Sequence, residues 1–409
     1  MRRIGAWQPR GLAEPIVRQW YTVCGLRTWT ALWMPIAALT RQRRLLMSQK
    51  VAIGAATVQP TRGGIARVAR ISAAALAEAG HSVWLNAYLD SDPVPISGVP
   101  ILCSSGKRLR FTIRAQAAAF KTDWALYDTA GIARARARLP GLRRPYAVWM
   151  HGVEAWEDLR PEAAAALREA DLVIVNSHYT LRRYQSLHGA LPSARVCWLA
   201  TDDDEPSPRA SPAGTRAPTV LVLGRIEASE SYKGHAELIE AWPKVVSQVP
   251  EARLVIAGGG SGLSAISSAA AASPVASQID ILGFVPEDAV PALWTSVRAF
   301  AMPSRGEGFG LVYAEAMRHG LPVIVSRHDA GQEIIQEGRT GFAVSLDSGE
   351  ELATRLVTLL ADDGLASAMG EAGRERWAQH FRFTQFKDRL LTLTDACFQP
   401  RGAHVRKAS

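Results

Sequence analysis

Two glutamates, Glu307 and Glu315, stand with seven residues between them in the stretch Pro303-Ser-Arg-Gly-Glu-Gly-Phe-Gly-Leu-Val-Tyr-Ala-Glu-Ala-Met317. The apolar run 299–302 just before it reads as a buried strand entering a turn. Gly306, Gly308 and Gly310 permit backbone angles and close ligand approach that a Cβ would forbid. A helix is predicted from about Leu311 to His319-Gly320, where the glycine is a normal stop signal. Such a loop delivers free backbone N–H groups at a helix N-terminus, which suits an anion. A loop carboxylate beside a phosphate would repel it, unless the ligand also carries hydroxyls for the carboxylate to accept from. A nucleotide-sugar carries both. Two isolated glutamates would read better as solvated side chains; the glycine frame argues otherwise.

The elements that must position these groups alternate between strand and helix. In the second half, 219–223 reads as a strand ending in Gly224-Arg225, and Tyr232-Lys233-Gly234-His235 opens a helix. Leu238, Ile239, Trp242, Val245, Val246 and Val249 form its apolar stripe, and Pro243 predicts a kink. Arg225 and Lys233 therefore flank a loop at the carboxyl edge of a sheet, where two fixed cations suit a diphosphate leaving group. In the first half, a strand over 51–58, the pair Gly63-Gly64 and an Ala-rich helix to Gly80 open a nucleotide-binding α/β unit without the GxGxxG fingerprint. Strands are predicted over 82–87, 124–127, 146–150, 172–176 and 195–200, the alternation of a doubly wound parallel sheet. His151 closes the 146–150 strand, and ligands collect at strand carboxyl ends in such sheets. Ser177 is expected to N-cap the following helix, a structural role.

The sequence from Ser304 to Leu311, Glu315, and Gly320-Leu-Pro-Val-Ile324 resembles the Glu-x7-Glu region of the family 4 retaining glycosyltransferases, group 1 glycosyl transferases of GT-B fold. The resemblance covers nearly everything after Lys50. It implies an α/β GT-B fold, two Rossmann-like doubly wound domains facing a central cleft. It also implies transfer of a hexose from a nucleotide-sugar to a glycan or lipid-linked acceptor, in polysaccharide or lipopolysaccharide assembly, with retained anomeric configuration, no metal and no cofactor. By this resemblance Gly63 and Gly64 face the donor diphosphate, and Arg225 and Lys233 hold it with the helix start at Phe309, Gly310 and Leu311. His151 contacts the transferred sugar, Glu307 positions its hydroxyls, Glu315 meets the ribose, and the base lies beside Gly283-Phe284-Val285. The loop between Arg225 and Lys233 is a little longer than the commonest family version, so Lys233 has further to reach. A nucleotide-sugar epimerase of the same fold, or a non-catalytic nucleotide-sugar-binding module, is the alternative.

With 409 residues and 48% hydrophobic content the chain can bury two cores. Expected divisions are an N-terminal extension over 1–47, an acceptor domain over 48–205, a linker over 206–216, a donor domain over 217–375, a helix crossing back over 376–398, and a disordered tail over 399–409. Four cysteines without a CxxC pair point to neither zinc nor disulfides and fit a reducing compartment. The net charge of +9 divides into +8 over 1–50, +7 over 51–200 and −6 over 201–409. That division argues against nucleic acid, which needs a coherent basic stripe. It permits an anionic partner on the first domain. With lipid-linked acceptors in view, the expectation is a cytoplasmic enzyme held peripherally on the inner membrane face by Arg134–Arg144 and by Lys107, Arg108, Arg110 and Arg114.

Asp202-Asp-Asp-Glu205 imitates a metal signature but leads into a Pro/Ser-rich stretch, and reads as a solvated hinge. The run Arg134, Arg136, Arg138, Arg143, Arg144 reads by default as a solvated face. Gly258-Gly-Gly-Ser-Gly262 imitates a phosphate loop but reads as a turn between core elements. The first fifty residues hold four of the twelve tryptophans, and their longest uncharged run, Thr28–Thr40, is too short to span a bilayer. Met47 leads directly into the first strand, so the favoured reading treats it as the natural start. A chain beginning at Met47 is expected to melt at the same temperature as the full chain and to keep activity on a soluble acceptor. Aggregation or inactivity would make the extension part of the enzyme.

Overall fold

The computed structural model describes residues 48–398 apart from 139–140, 142, 157–158, 203, 208–215 and 348. The readings made for 1–47 and 399–409 lie outside the described residues. Seven parallel strands form the first sheet: β1 (Lys50–Ala55), β2 (Ser82–Ala87), β3 (Ile101–Cys103), β4 (Trp124–Tyr127), β5 (Tyr146–Met150), β6 (Leu172–Val175) and β7 (Ala194–Val196). Six more form the second: β8 (Thr219–Leu223), β9 (Arg253–Ala257), β10 (Ile279–Gly283), β11 (Ala299–Ala301), β12 (Val323–Ser326) and β13 (Gly341–Val344). Strands β4, β5 and β6 are buried at every position, the continuous apolar run that a sheet covered on both faces requires.

Strand order decides where a ligand can lie. The first sheet runs β3-β2-β1-β4-β5-β6-β7 and the second β10-β9-β8-β11-β12-β13. The winding reverses between β1 and β4, and again between β8 and β11. Crevices at such switch points are where open α/β sheets bind ligands. The loops leaving these four strands carry Gly63-Gly64, Asp128, Arg225 and Glu307 respectively.

The helices that matter are α1 (Gly64–Glu78), α2 (Arg108–Ala118), α3 (His178–His188), α4 (His235–Gln248), α5 (Leu311–Arg318), α6 (Asp363–His380) and α7 (Phe383–Phe398). The apolar stripe of α4 buries Leu238, Ile239, Trp242 and Val245, with Pro243 inside the helix. Helix α7 buries Phe383, Phe386, Leu390 and Leu391 and returns to the first sheet. Its Lys387 pairs with Glu78 of α1 at 2.8 Å. The Phe398 ring stacks on Trp124 with centroids 4.5 Å apart.

Several expectations are corrected. Strand β1 ends at Ala55, where the chain leaves the ladder and its N–H groups turn to carboxylates, Ala56 N to Asp128 Oδ2 and Val58 N to Asp90 Oδ2, and β7 stops at Val196. The three-residue edge strand β3 was not foreseen. The returning helix begins at Phe383, not at 376, which lies within α6. The Asp204 carboxylate accepts from Thr384 N at 2.8 Å and caps the new helix there, so this part of the acidic run is structural. The arginine run is not a uniform solvated face either. Arg136 is only 5% exposed, pairs with Glu169 at 2.5 Å and lies over the Tyr146 ring.

Trp149 ties β5 to both α1 and α7. It is fully buried, donates to Ser72 Oγ of α1 at 3.2 Å, and stacks on Phe386 of α7. Trp149→Ala is expected to cost about 3–5 kcal/mol in urea unfolding. A loss below about 1 kcal/mol would mean that the site collapses freely and that this contact does not join the two regions.

Candidate active site

Glu307 is held by its peptide, not by its side chain. Its N–H donates to Asp329 Oδ2 at 3.3 Å, and its carbonyl accepts from Ala330 N at 3.1 Å. Asp329 is fully buried and also accepts from Gly331 N at 2.8 Å; burial raises its carboxyl well above the usual range. The Glu307 carboxylate has no hydrogen-bond donor among the described residues and lines the cleft. Burial pushes its pKa up, and nearby Lys233 opposes that shift.

The following residues press the loop onto the first sheet. A Cβ on Gly308 would lie 1.7 Å from the His151 carbonyl oxygen, so only glycine fits. The Gly308 carbonyl accepts from Ser177 Oγ at 2.7 Å and Thr180 Oγ1 at 3.1 Å. Ser177 caps α3 as expected, accepting from Thr180 N at 3.0 Å. Its hydroxyl also donates across the cleft, a role the helix-cap reading missed. Gly310 takes φ +85°, and a Cβ there would meet the Tyr313 ring at 2.2 Å. Helix α5 then starts at Leu311 with no side-chain cap on its first N–H groups.

Arg225 and Lys233 come together despite the long loop between them. Residues Ala228–Lys233 wind into 3-10 turns, which carry Lys233 Nζ back to 3.3 Å from the Arg225 carbonyl oxygen. One carboxylate bridges both cations: Glu230 Oε1 lies 2.6 Å from Arg225 Nη2, and Oε2 lies 2.5 Å from Lys233 Nζ. The 258–262 glycine run is a turn, as expected, and it clamps this loop. Ile226 N donates to the Gly259 carbonyl at 3.0 Å, and Ser261 Oγ to Glu227 Oε2 at 2.5 Å. Across the cleft, the Cβ position of Gly63 is 3.6 Å from the Arg225 guanidinium, and that of Gly64 is 3.8 Å from Leu311.

His151 Nε2 lies 2.7 Å from the Asp128 carbonyl oxygen, and burial lowers the ring's pKa. A carbonyl only accepts, so the neutral ring donates through Nε2 and keeps Nδ1 as an acceptor. The Asp128 carboxyl accepts from Ala56 N at 2.6 Å, and burial drives its pKa up to about 7.

Glu315 and Asp202 share a partner that the sequence did not show. Both pair with Arg67 of α1: Glu315 through Nη1, Asp202 through Nε at 2.6 Å. Asp202 stays exposed, in keeping with a solvated position, and adds a second carboxylate beside the Arg67 guanidinium. Val285 packs against the core and is not among the cleft-lining residues; Glu287, Val290 and Trp294 line that end instead. The remaining expected residues, Gly63, Gly64, His151, Arg225, Lys233, Glu307, Phe309, Gly310, Leu311 and Glu315, all line one cleft of about 910 Å³. Glu230, Asp329, Arg67 and Thr180 were missed. Only Glu230 left a local trace, an acidic residue three positions before Lys233.

Two facing parallel α/β sheets with a cleft at both switch points define a GT-B glycosyltransferase fold. HepE of Anabaena, solved with UDP and glucose, superposes with TM-score 0.70 at 17% identity over 85% of this chain and 100% of its own. WaaG, a glycosyltransferase of lipopolysaccharide biosynthesis, gives 0.64 at 17% identity over 84% and 99%. Residues 217–362 match the family model described as glycosyl transferases group 1. The GDP-mannose-dependent alpha-(1-6)-phosphatidylinositol monomannoside mannosyltransferase of Mycolicibacterium smegmatis is 35% identical over 264 residues, 59% of this chain and 67% of that enzyme. Its Mycobacterium tuberculosis counterpart is 33% identical over 276 residues, 62% and 70%. This chain belongs to the group 1 glycosyl transferases.

Gly308→Ala is expected to lower turnover at least about tenfold, since the loop must leave His151 to admit the methyl. Gly349→Ala, where a Cβ meets nothing within 4 Å, serves as the control. Equal turnover in the two variants, with circular dichroism unchanged, would show that the loop does not need its contact with His151.

Proposed function

We propose that this enzyme transfers mannose from GDP-mannose to a phosphate-bearing lipid acceptor, with retention and without a metal. The observation that carries the chemistry is the Glu307 carboxylate, which has no donor among the described residues and lines the cleft with Arg225 and Lys233. The donor and acceptor classes rest on the mycobacterial mannosyltransferases. In this reading Arg225, Lys233 and the N–H groups opening α5 take the charge that develops on the leaving diphosphate. Glu307 and His151 Nδ1 accept from hydroxyls of the sugar. The bond from C1 to the phosphate oxygen breaks with its electron pair on the diphosphate. The acceptor oxygen bonds to C1 on the same face and passes its proton to the departing oxygen. Metal independence is supported by Asp202 being turned to Arg67, and by the charge already supplied by two fixed cations.

The acceptor side is the first domain. Along α2 and just beyond it, Leu109 is 74% exposed, Ile113 58% and Phe120 65%, a stripe at helical spacing. Lys107, Arg108, Arg110 and Lys121 stand exposed around it. Apolar side chains ringed by cations fit an anionic membrane interface. Among the described residues no helix is long and apolar enough to cross a membrane. The 134–144 arginines contribute less to this surface than expected, since Arg136 is buried.

The reaction is tested with GDP-mannose and phosphatidylinositol mannosides, reading the anomeric configuration of the product by NMR. Glu307→Ala is expected to lower turnover about ten- to a hundredfold, the cost of one charged hydrogen bond, and EDTA to change nothing. An inverted product or strict divalent-metal dependence would overturn the mechanism. Vesicle co-sedimentation tests attachment: binding is expected for anionic vesicles, to weaken with salt, and to fall in a Leu109→Ser, Ile113→Ser variant. Equal binding to neutral and anionic vesicles would leave a soluble acceptor as the better reading.

A further inference from the structure

Glu230 is a resident competitor for the diphosphate. Its two oxygens sit 2.6 Å from Arg225 and 2.5 Å from Lys233, the two cations that the proposed function gives to the leaving group. It lines the same cleft, and its backbone (φ −112°, ψ 32°) interrupts the 3-10 turns that carry it. A carboxylate and a diphosphate share charge and acceptor geometry, so both cannot hold these cations at full strength. Both ends of the carboxylate are engaged by candidate donor ligands, one of them the half-exposed Arg225. A purely structural glutamate would not need that second contact to hold the turn.

We propose that Glu230 is a positioning residue that holds Arg225 and Lys233 in register and hands them to the diphosphate, and that its return drives release of the nucleoside diphosphate product. This rests on the reading of Arg225 and Lys233 as diphosphate ligands. Glu230 weakens binding of every diphosphate to the site and speeds exchange. Its removal should trade turnover for affinity.

The test titrates GDP, inorganic pyrophosphate and guanosine calorimetrically into the wild type, Glu230→Gln, Glu230→Asp and Arg225→Ala, alongside steady-state kinetics. Glu230→Gln keeps the shape and loses the charge. It is expected to bind GDP and pyrophosphate about tenfold more tightly, one decade of affinity, with guanosine unchanged and with KM and kcat falling together. Glu230→Asp, still charged, should stay near the wild type and shows whether the turn itself tolerates change. Unchanged or weaker GDP binding in Glu230→Gln, with Arg225→Ala still lowering it, would overturn this role and spare the diphosphate reading. If Arg225→Ala leaves GDP binding intact, the diphosphate reading itself fails.

Discussion

The rest of the site depends on one close approach, the backbone at Gly308 against the carbonyl of His151. No side chain fits there. That contact lets Ser177 and Thr180 bond the Gly308 carbonyl while Asp329 and Ala330 grip the peptide of Glu307. The loop is therefore held from both sides of the cleft by directional hydrogen bonds to its backbone. Because the backbone takes these bonds, the Glu307 carboxylate lines the cleft with no donor among the described residues. A loop anchored through its own carboxylate would have to break that anchor at each turnover.

Charge is distributed by a second rule: Arg67, Arg225 and Lys233, which line the cleft, each have a carboxylate partner on the protein. Arg225 and Lys233 share Glu230, and Arg67 is shared by Glu315 and Asp202. Half-buried cations left alone would be costly and would shift their neighbours. Such pairing compensates these cations within the folded chain. The Arg67–Glu315 pair also joins α1 of the first sheet to α5 of the second.

The two switch points give the geometry that these contacts refine. Strands β1 and β8 begin the two sheets, and the chain turns back past each of them in the same way. Their loops deliver Gly63-Gly64 and Arg225 to opposite walls of the cleft. A Cβ at Gly63 would only touch the Arg225 guanidinium, at 3.6 Å; it is the φ of +85° that asks for glycine there. Membership of the group 1 glycosyl transferases follows from this frame together with the matched residues of the second half.

What the sequence by itself determined is what short-range physics controls. Helical and strand periodicity, glycine punctuation and caps depend on a residue and its near neighbours. Five strands, β2, β4, β5, β8 and the start of β6, lie where the pattern put them. The glycine frame around Glu307 was enough to single out its loop. The three-residue β3 was too short to show a period, and Val285 sat beside a cleft whose end is lined by residues slightly further along. Only the tertiary structure decided the partners of charge. Ser177 and Gly308 are 131 residues apart, and Arg67 and Glu315 are 248. Glu230 reaches both cations only because the loop coils into 3-10 turns. An ion pair carries no sequence period: any carboxylate could serve any cation, and which one does is set by how the two sheets close on each other.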